Sequence, residues 1–370
     1  MGHPPYIRHR KPFSDPPADR NSAYEMYRLG GQVNFCGLFN QSLPSAGPHS
    51  ITMGVFYRLK GQTESFGRSL DLPQIQMGPC STMNLTDLIP VAKVGGGSIT
   101  ELLEVQHGDS GRRFALKIPR AGSSHPKHLA KQFLTREAAA LSKIRRFRCP
   151  FLPILAATGT FEKSGIDGFE NAGHVVLEWI EGKSLRSILD LNGPLEIADA
   201  IGLCRQISQG LACLHQAGLA HGDIHPDNIL RGLDGIDRLI DLGCAHSPND
   251  TMPEYEGLLI GSADYWSPEA CLSHGFAGPE ADVFALGVVL WECLTGFRPW
   301  PTAEDLRETI RRRHGDPPMP LPEMIIKAQP GLARLLERML SRHIGKRPKS
   351  RMVVAELMRL EISSMSRMAA

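Results

Sequence analysis

No apolar run in this 370-residue chain approaches the roughly 20 residues that a membrane-spanning helix needs. The N-terminal stretch has no apolar core behind its basic residues, so no secretory leader is expected. Tyr6 stands where an N-myristoylation signal wants Ser or Thr. Neither charge dominates: 41 Lys and Arg face 39 Asp and Glu, a formal net charge of +2. That balance gives no case for nucleic acid or an anionic membrane as the main partner. The eight cysteines, at 36, 80, 149, 204, 213, 244, 271 and 293, form no Cys-x-x-Cys pair and no metal spacing. Buried free thiols in a reducing compartment are therefore expected rather than a disulfide framework. No internal repeat is present. A soluble globular chain remains, 42% hydrophobic and 22% charged. It is long enough for two or three domains, or one large bilobal domain with an extension, and is expected in the cytoplasm.

The first 86 residues differ in texture from the rest. Pro4, Pro5, Pro12, Pro16, Pro17, Pro44, Pro48, Pro73 and Pro79 break them up, leaving short apolar pieces such as Val33 to Phe39 and Ile51 to Leu59. This reads as a loosely ordered extension, with a small binding module as the alternative. From Leu88 onward, strands are expected over 88–94, 101–106 and 113–118, a helix over 129–144, and strands over 151–161 and 174–180. An amphipathic helix follows over 196–216, with Ile197, Ile201, Cys204, Ile207, Leu211 and Leu214 on one stripe. Residues 332–340 read as a helix. Residues past about 360 read as a short tail.

The chemistry concentrates in His221-Gly222-Asp223-Ile224-His225-Pro226-Asp227-Asn228, followed after a short gap by Asp241-Leu242-Gly243. Asp223, Asn228 and Asp241 bring three oxygen-bearing side chains toward one loop edge. Mg²⁺ prefers such hard ligands and keeps phosphate oxygens as the others. Upstream, Gly95-Gly96-Gly97 lies in a turn between strands, where backbone N–H groups can approach phosphate without a side chain in the way. Alone, that turn is an ordinary hairpin; likewise Lys117 alone is a strand-edge lysine and Glu137 a solvated helical carboxylate.

Together and in order, these residues resemble the protein kinase family, of the Ser/Thr type. Gly95, Gly97, Thr100 and Leu102 stand in the places of its Gly-x-Gly-x-x-Gly-x-Val pattern, and Ala115-Leu116-Lys117 in its Val-Ala-Ile-Lys. The run 221–228 is similar to His-Arg-Asp-x-x-x-x-Asn, and 241–243 to Asp-Phe-Gly. Gly261-Ser262-Ala263-Asp264-Tyr265-Trp266-Ser267-Pro268-Glu269 looks like the end of an activation segment that begins at Asp241. The resemblance covers about 88–360. It implies an α+β bilobal fold: a 1–86 extension, a β-rich N-lobe over 87–178, a mostly helical C-lobe over 179–360 and a tail over 361–370. It also implies ATP and Mg²⁺ as cofactors and a protein Ser/Thr hydroxyl as acceptor. Lys117 would hold the α- and β-phosphates and Glu137 would pair with it. Asp223 would accept or orient the substrate proton, and Asn228 and Asp241 would hold Mg²⁺. Leu177 becomes the gatekeeper, and the Glu178 to Ile180 backbone the adenine contact. Gly95, Gly97, Leu102, Ala115 and Leu230 would complete the nucleotide site. Asp282 is expected to anchor the large lobe's central helix, and Arg347 to pair with Glu269.

Four departures bear on function. The third glycine is replaced by Thr100, and the phenylalanine by Leu242. Gly222 replaces the arginine that receives a phosphorylated activation-loop residue, so phosphorylation there is not expected to be the on-switch. His225 stands where Ser/Thr kinases carry a lysine near the γ-phosphate. Phosphate should draw its pKa upward, giving a rate that depends on pH between about 6 and 8. The run His-Gly-Asp-x-His-Pro-x-Asn also suits phosphotransferases acting on small alcohols. A protein kinase, a small-molecule kinase and a non-catalytic nucleotide-binding scaffold are the three readings, the first best supported by the segment ending in Ser267-Pro268-Glu269. Cys244, beside the metal loop, is expected to be inert, or a redox handle if accessible.

Overall fold

Five strands make the first layer: β1 Leu88–Gly96, β2 Thr100–His107, β3 Arg113–Pro119, β4 Leu155–Thr160 and β5 Gly173–Glu178. Their order is β1-β2-β3-β5-β4, with every neighbouring pair antiparallel. The computed structural model describes residues 85–368 except 121–122, 124–126, 161–172, 249, 251–260, 274 and 304. All described residues belong to one unit, 38–370. The expectations for residues 1–84, for the turn and strand end within 161–172, and for the middle of the activation segment lie outside the described residues.

Successive strand residues face opposite sides of a sheet, while paired residues on neighbouring strands share a side. Register therefore sorts this sheet. Leu103 pairs with Leu116 and Leu116 with Val176; with Leu88, Val105, Phe114 and Ile118 they form a separate apolar cluster on one face. Leu102 pairs with Lys117, Lys117 with Val175, and Ala115 with Leu177. That second face joins the main core, so the one lysine of β3 is carried into the interior by alternation alone. Helix α1, Lys127–Ile144, packs on β3 and β5 through buried Leu134, Ala138 and Leu141.

Helices make the second lobe. Helix α2, Leu185–Asn192, is capped by Ser184, whose hydroxyl accepts from the Ser187 N–H. In α3, Ile197–Gln216, the buried residues include Ile201, Cys204, Ile207, Leu211 and Leu214, the stripe expected from the sequence. A small sheet of β6 Gly182–Ser184, β7 Ile229–Gly232 and β8 Asp237–Leu239 carries the loop between α3 and β7. Helix α4 is Pro268–Leu272 and α5 is Pro279–Thr295. Every residue of α5 from Asp282 to Leu294 is buried, as an all-round apolar helix requires. Helices α6 Leu306–Gly315, α7 Glu323–Ala328, α8 Pro330–Met339 and α9 Ser350–Met368 complete the lobe. The architecture is the α+β, two-lobed one expected. One apolar core runs through both lobes, from Ala115 and Leu177 in the sheet to Leu336 and Val353 among the last helices.

One boundary is corrected. The residues after 360 are not a separate tail but continue α9 to Met368. Val353 and Leu357 are buried and Leu360 packs on the core, a helical spacing that extends to Glu361, whose carboxylate pairs with Arg205 of α3 at 2.7 Å.

Arg347 joins the last helices to the site-bearing part of the lobe. Its guanidinium is fully buried and grips Glu269 with two nitrogens at 2.5 and 2.8 Å. It also donates to the Ser341 and Glu280 carbonyls. Burial works against the Glu269 carboxylate, yet Arg347 holds its pKa below the ordinary glutamate value. Removing one partner of a buried pair costs about 3–5 kcal/mol. Arg347→Met should therefore lower unfolding free energy at pH 7 by about 3 kcal/mol or more in urea titrations. Because the folded Glu269 pKa is depressed, this contribution is present above the ordinary carboxylate pKa and fades as pH falls through the folded value. The gap between wild type and variant should close in acid.

Candidate active site

Lys117 Nζ lies 2.8 Å from Glu137 Oε2 and 2.5 Å from Asp241 Oδ1. The two carboxylates arrive from different elements: Glu137 from α1, Asp241 from the loop after β8. Glu137 also accepts from the Leu242 N–H through Oε1 at 3.4 Å, so it grips both the strand and the loop. Burial opposes charge on all three groups. For Lys117 the two carboxylates outweigh it, and its pKa is held above the usual lysine value. Lys117 in turn holds Asp241 below the usual aspartate value. Glu137, the most deeply buried, is pushed up by burial and by the Asp241 charge, against the pull of Lys117.

Asp241 sits in the left-handed region, φ 62, a conformation that Asp tolerates better than most residues. Its Oδ1 accepts from the Gly243 N–H at 3.2 Å. A side chain at Gly243 would meet the Phe133 ring of α1 at 2.7 Å, which explains the glycine. Leu242, in the phenylalanine position, is fully buried in the main core.

The loop from His221 to Asn228 hangs from Asp282 of α5. Asp282 Oδ2 accepts from the His221 N–H at 2.8 Å, and Oδ1 from the Gly222 N–H at 3.0 Å. His215 and, behind it, Ser350 extend the same chain. This is the anchoring expected of Asp282. Within the loop, Asn228 Nδ2 donates to the Asp223 carbonyl at 2.9 Å and to its carboxylate at 3.1 Å. The other Asp223 oxygen accepts from the Ser262 N–H at 3.1 Å. The Ile240 N–H reaches the Asn228 carbonyl at 2.8 Å, tying this loop to the one that carries Asp241.

His225 Nε2 lies 3.5 Å from Asp223 Oδ2, and Nδ1 3.2 Å from Asp227 Oδ2. Burial works against the imidazolium, but hydrogen bonds and charge from these carboxylates outweigh it and push His225 up to about 9. The upward shift expected for His225 from phosphate is thus already favoured by Asp223 and Asp227, with no phosphate nearby. Its partners stand two residues to either side, a spacing visible in the sequence.

The nucleotide-binding candidates lie along the first three strands and at the crossing between lobes. Gly95 and Gly97 have open space where a side chain would sit. The conformational demand falls on Gly96, at φ 134, where a Cβ would lie 2.5 Å from the Thr100 carbonyl. Thr100 is a buried strand residue paired with Pro119, so the missing third glycine falls in β2 and not in the turn. At the chain crossing between lobes, the Glu178 N–H donates to the Ile154 carbonyl at 3.0 Å and is not available as a donor to a purine. Beyond it, Glu181 takes hydrogen bonds from Arg113 and from Trp179 Nε1, and Arg113 stacks 4.9 Å over the Trp179 ring. Ala115 and Leu177 are buried on the face that carries Lys117, and Leu102 and Leu230 are half-buried.

Known proteins place this arrangement. A family profile described as Protein kinase domain matches residues 89–359. The chain belongs to the protein kinase family. It is similar to the serine/threonine-protein kinase PknA of Mycobacterium tuberculosis, 29% identical over 258 residues, 70% of this chain and 57% of PknA. It is 34% identical to PknL of the same organism over 191 residues, 51% of this chain and 45% of PknL. A probable serine/threonine-protein kinase, pknA2 of Bifidobacterium longum, is 25% identical over 266 residues, 72% of this chain and 34% of that protein. The chain thus spans between about a third and somewhat over half of these curated relatives' lengths.

Gly222 directly precedes Asp223 in the loop. It has φ 81, and a Cβ there would lie 2.9 Å from the Cys244 carbonyl and 3.2 Å from the His246 ring. His246 is buried between Cys244 and Ala277 carbonyls, 2.9 and 3.0 Å from its two nitrogens, and bridges Ala220 as an isolated β-pair. His246, Ser262 and Asp227 were not singled out from the sequence; they act through partners that spacing alone does not reveal, Asp227 excepted. Cys244 is buried, and burial pushes its thiol far up, as an inert cysteine requires.

Because the folded His225 pKa is raised, its stabilising pairing is complete below the ordinary imidazole value of about 6.5 and is lost as pH climbs through about 9. An NMR titration of the His225 ring should show a midpoint near 9, falling toward the ordinary value in Asp227→Asn. A wild-type midpoint at the ordinary imidazole value would contradict the assignment.

Proposed function

We propose that this chain is an ATP-dependent protein kinase that transfers the γ-phosphate of Mg·ATP to Ser or Thr hydroxyls of protein substrates in the cytoplasm. The observation that carries this reading is the closed junction of Lys117 with both Glu137 and Asp241. A scaffold that only bound nucleotide would not require Asp223 and Asn228 to be held in register beside it. The three relatives above are each named as serine/threonine kinases, the third as a probable one, which agrees with this reading.

The donor set fits the cofactors. Among the described residues no three His, Cys, Asp or Glu side chains converge as a self-sufficient metal cage. Asn228 and Asp241 would therefore hold Mg²⁺ only together with phosphate oxygens, as Mg²⁺ sites commonly do. Bound there, Mg²⁺·ATP supplies the transferable phosphoryl group and neutralises its charge. Lys117 would bind the α- and β-phosphates, backbone N–H groups of Gly95 to Gly97 the outer phosphates, and the 178–180 backbone the purine between Leu102, Ala115 and Leu230. Asn228 leaves its amide oxygen as acceptor, because Nδ2 is committed to Asp223. Asp223 orients the hydroxyl and accepts its proton. His225, cationic and fixed by two carboxylates, adds positive charge beside that carboxylate.

A protein acceptor is favoured over a small alcohol by what flanks Asp223. A groove of about 430 Å³, lined by Arg186, His225, Asp227, Ser262, Tyr265 and Arg298 among others, opens beside it. Its floor is braced: Tyr265 donates to Glu292 at 2.6 Å, Arg186 meets the same carboxylate at 3.0 Å, and Arg313 Nε donates to the Trp266 carbonyl at 3.0 Å. A small-molecule kinase has no need of this length of prepared surface. Phosphorylation of the activation segment is not the on-switch in this reading, because His246 fills the space that a side chain at 222 would need.

The test is transfer of labelled γ-phosphate from Mg·ATP by phosphatase-treated protein, offered Ser/Thr polypeptides and a panel of small alcohols and aminoglycosides. Expected is label on protein Ser or Thr without prior phosphorylation, reduced about 10²–10⁴-fold in Asp223→Asn. Label only on a small molecule would move the chain to that class of kinase. ATP binding without any transfer would make it a scaffold.

A further inference from the structure

The glycine turn between β1 and β2 has little inside it that could hold it still. Gly95 to Gly97 carry no side chains and Ser98 is exposed, so the backbone there is free to move unless something outside fixes it. Ile99 ends the turn and is half-buried. Leu129 of α1 and Cys244 make a small apolar cluster apart from the other cores, and Ile99, Phe133 and Phe276 pack against it. The backbone beside Ile99 is held as well. Its carbonyl accepts from the Arg120 N–H at 2.9 Å, the Ser98 carbonyl from the Ser123 hydroxyl at 2.8 Å, and the Gly96 carbonyl from the Arg120 guanidinium at 3.4 Å.

We propose that Ile99 is a positioning residue for phosphoryl transfer, on the kinase reading of this site: it latches the phosphate-binding turn onto the cluster of Leu129 and Cys244. Leu129 shares α1 with Glu137, and Cys244 shares with Asp241 the loop after β8. The cluster is therefore built from the two elements whose carboxylates hold Lys117. Ile99 finds its seat only while both are in place, so the turn is fixed only when the junction beneath it is formed. Phe276, from the loop before α5, packs on the same cluster from the second lobe, and the His246 ring meets it edge-on at 5.4 Å. The latch thus spans both lobes.

Isoleucine suits the task. Its branched Cβ leaves few side-chain rotamers, so seating the side chain also orients the backbone that carries it. The absence of the third glycine then has a physical reason. Thr100 opens β2 directly after the latch and pairs with Pro119, where a glycine would restore freedom at the latch's root. Phosphoryl transfer depends mostly on positioning and electrostatics. A turn that swings free should therefore lower the rate with ATP and leave binding of the polypeptide acceptor alone.

The test compares wild type, Ile99→Ser and the conservative Ile99→Val in the full chain, by two measurements. The first, amide hydrogen exchange, needs no phosphotransfer. The Arg120 amide, which donates to the Ile99 carbonyl, should exchange about tenfold faster in Ile99→Ser and at the wild-type rate in Ile99→Val. The Gly108 amide, bonded to the Asp87 carbonyl at the other end of the same strand pair, should be unchanged in both, which shows that the variants are folded. The second is transfer from Mg·ATP to a Ser/Thr polypeptide. There kcat/KM for ATP should fall about tenfold in Ile99→Ser, with KM for the polypeptide unchanged, and Ile99→Val should restore it. An Arg120 amide that exchanges no faster in Ile99→Ser, or that speeds up only together with Gly108, would overturn the latch. Transfer by wild type with no loss in Ile99→Ser would overturn its positioning role alone, whereas a wild type that transfers no phosphate would overturn the kinase reading and that role together.

Discussion

One ammonium between a buried carboxylate and a half-exposed one holds this candidate active site together. Lys117 is drawn inward by the alternation of β3, Glu137 is offered by α1, and Asp241 by the loop after β8. Two negative charges brought this close, one of them fully buried, repel each other. The junction is stable only while Lys117 stands between them. Each element is therefore positioned by the others. If α1 withdrew Glu137, the Leu242 N–H would lose its acceptor as well, and if the loop moved, Lys117 would keep one partner of two. The strained backbone of Asp241 and the close seat of Gly243 on Phe133 are tolerated because this junction fixes both sides.

A second support, independent of the first, comes from below. Asp282 grips two successive backbone N–H groups of the catalytic loop and is itself backed by His215 and Ser350. The glycine at 222 leaves room for His246 to pack against the loop backbone. Two supports from opposite directions leave Asp223 in contact with Asn228, His225 and Ser262 at once. The carboxylate is oriented by short, mixed polar contacts and needs no distant charge.

Much of this was legible in the chain because order carried it. A lysine on a strand, a glutamate twenty residues later on a helix, and the Asp, Asn and Asp that follow admit few arrangements other than the one observed. The apolar stripe of α3 was legible from period alone, and the place of α5 from the resemblance. Other features were hidden for physical reasons. Backbone φ is not written in residue identity, so the demanding glycine of the turn is Gly96 and not its neighbours. The Glu178 N–H is taken by Ile154, a partner set by how the loop before β4 folds back. β6 has only three residues, too few for any period to show. The end of α9 was misread because its spacing, Val353, Leu357 and Leu360, was not followed to Glu361.

The measurement that tests the central claim most directly is calorimetric titration with ATP, with and without Mg²⁺, on wild type and Asp241→Asn. The account predicts that Mg²⁺ tightens ATP binding in wild type. In Asp241→Asn, still folded because Lys117 keeps Glu137, that gain should disappear, a loss of at least about tenfold or 1.4 kcal/mol. Equal affinity with and without Mg²⁺ in wild type, unchanged by the substitution, would show that the junction does not serve a metal-bound nucleotide.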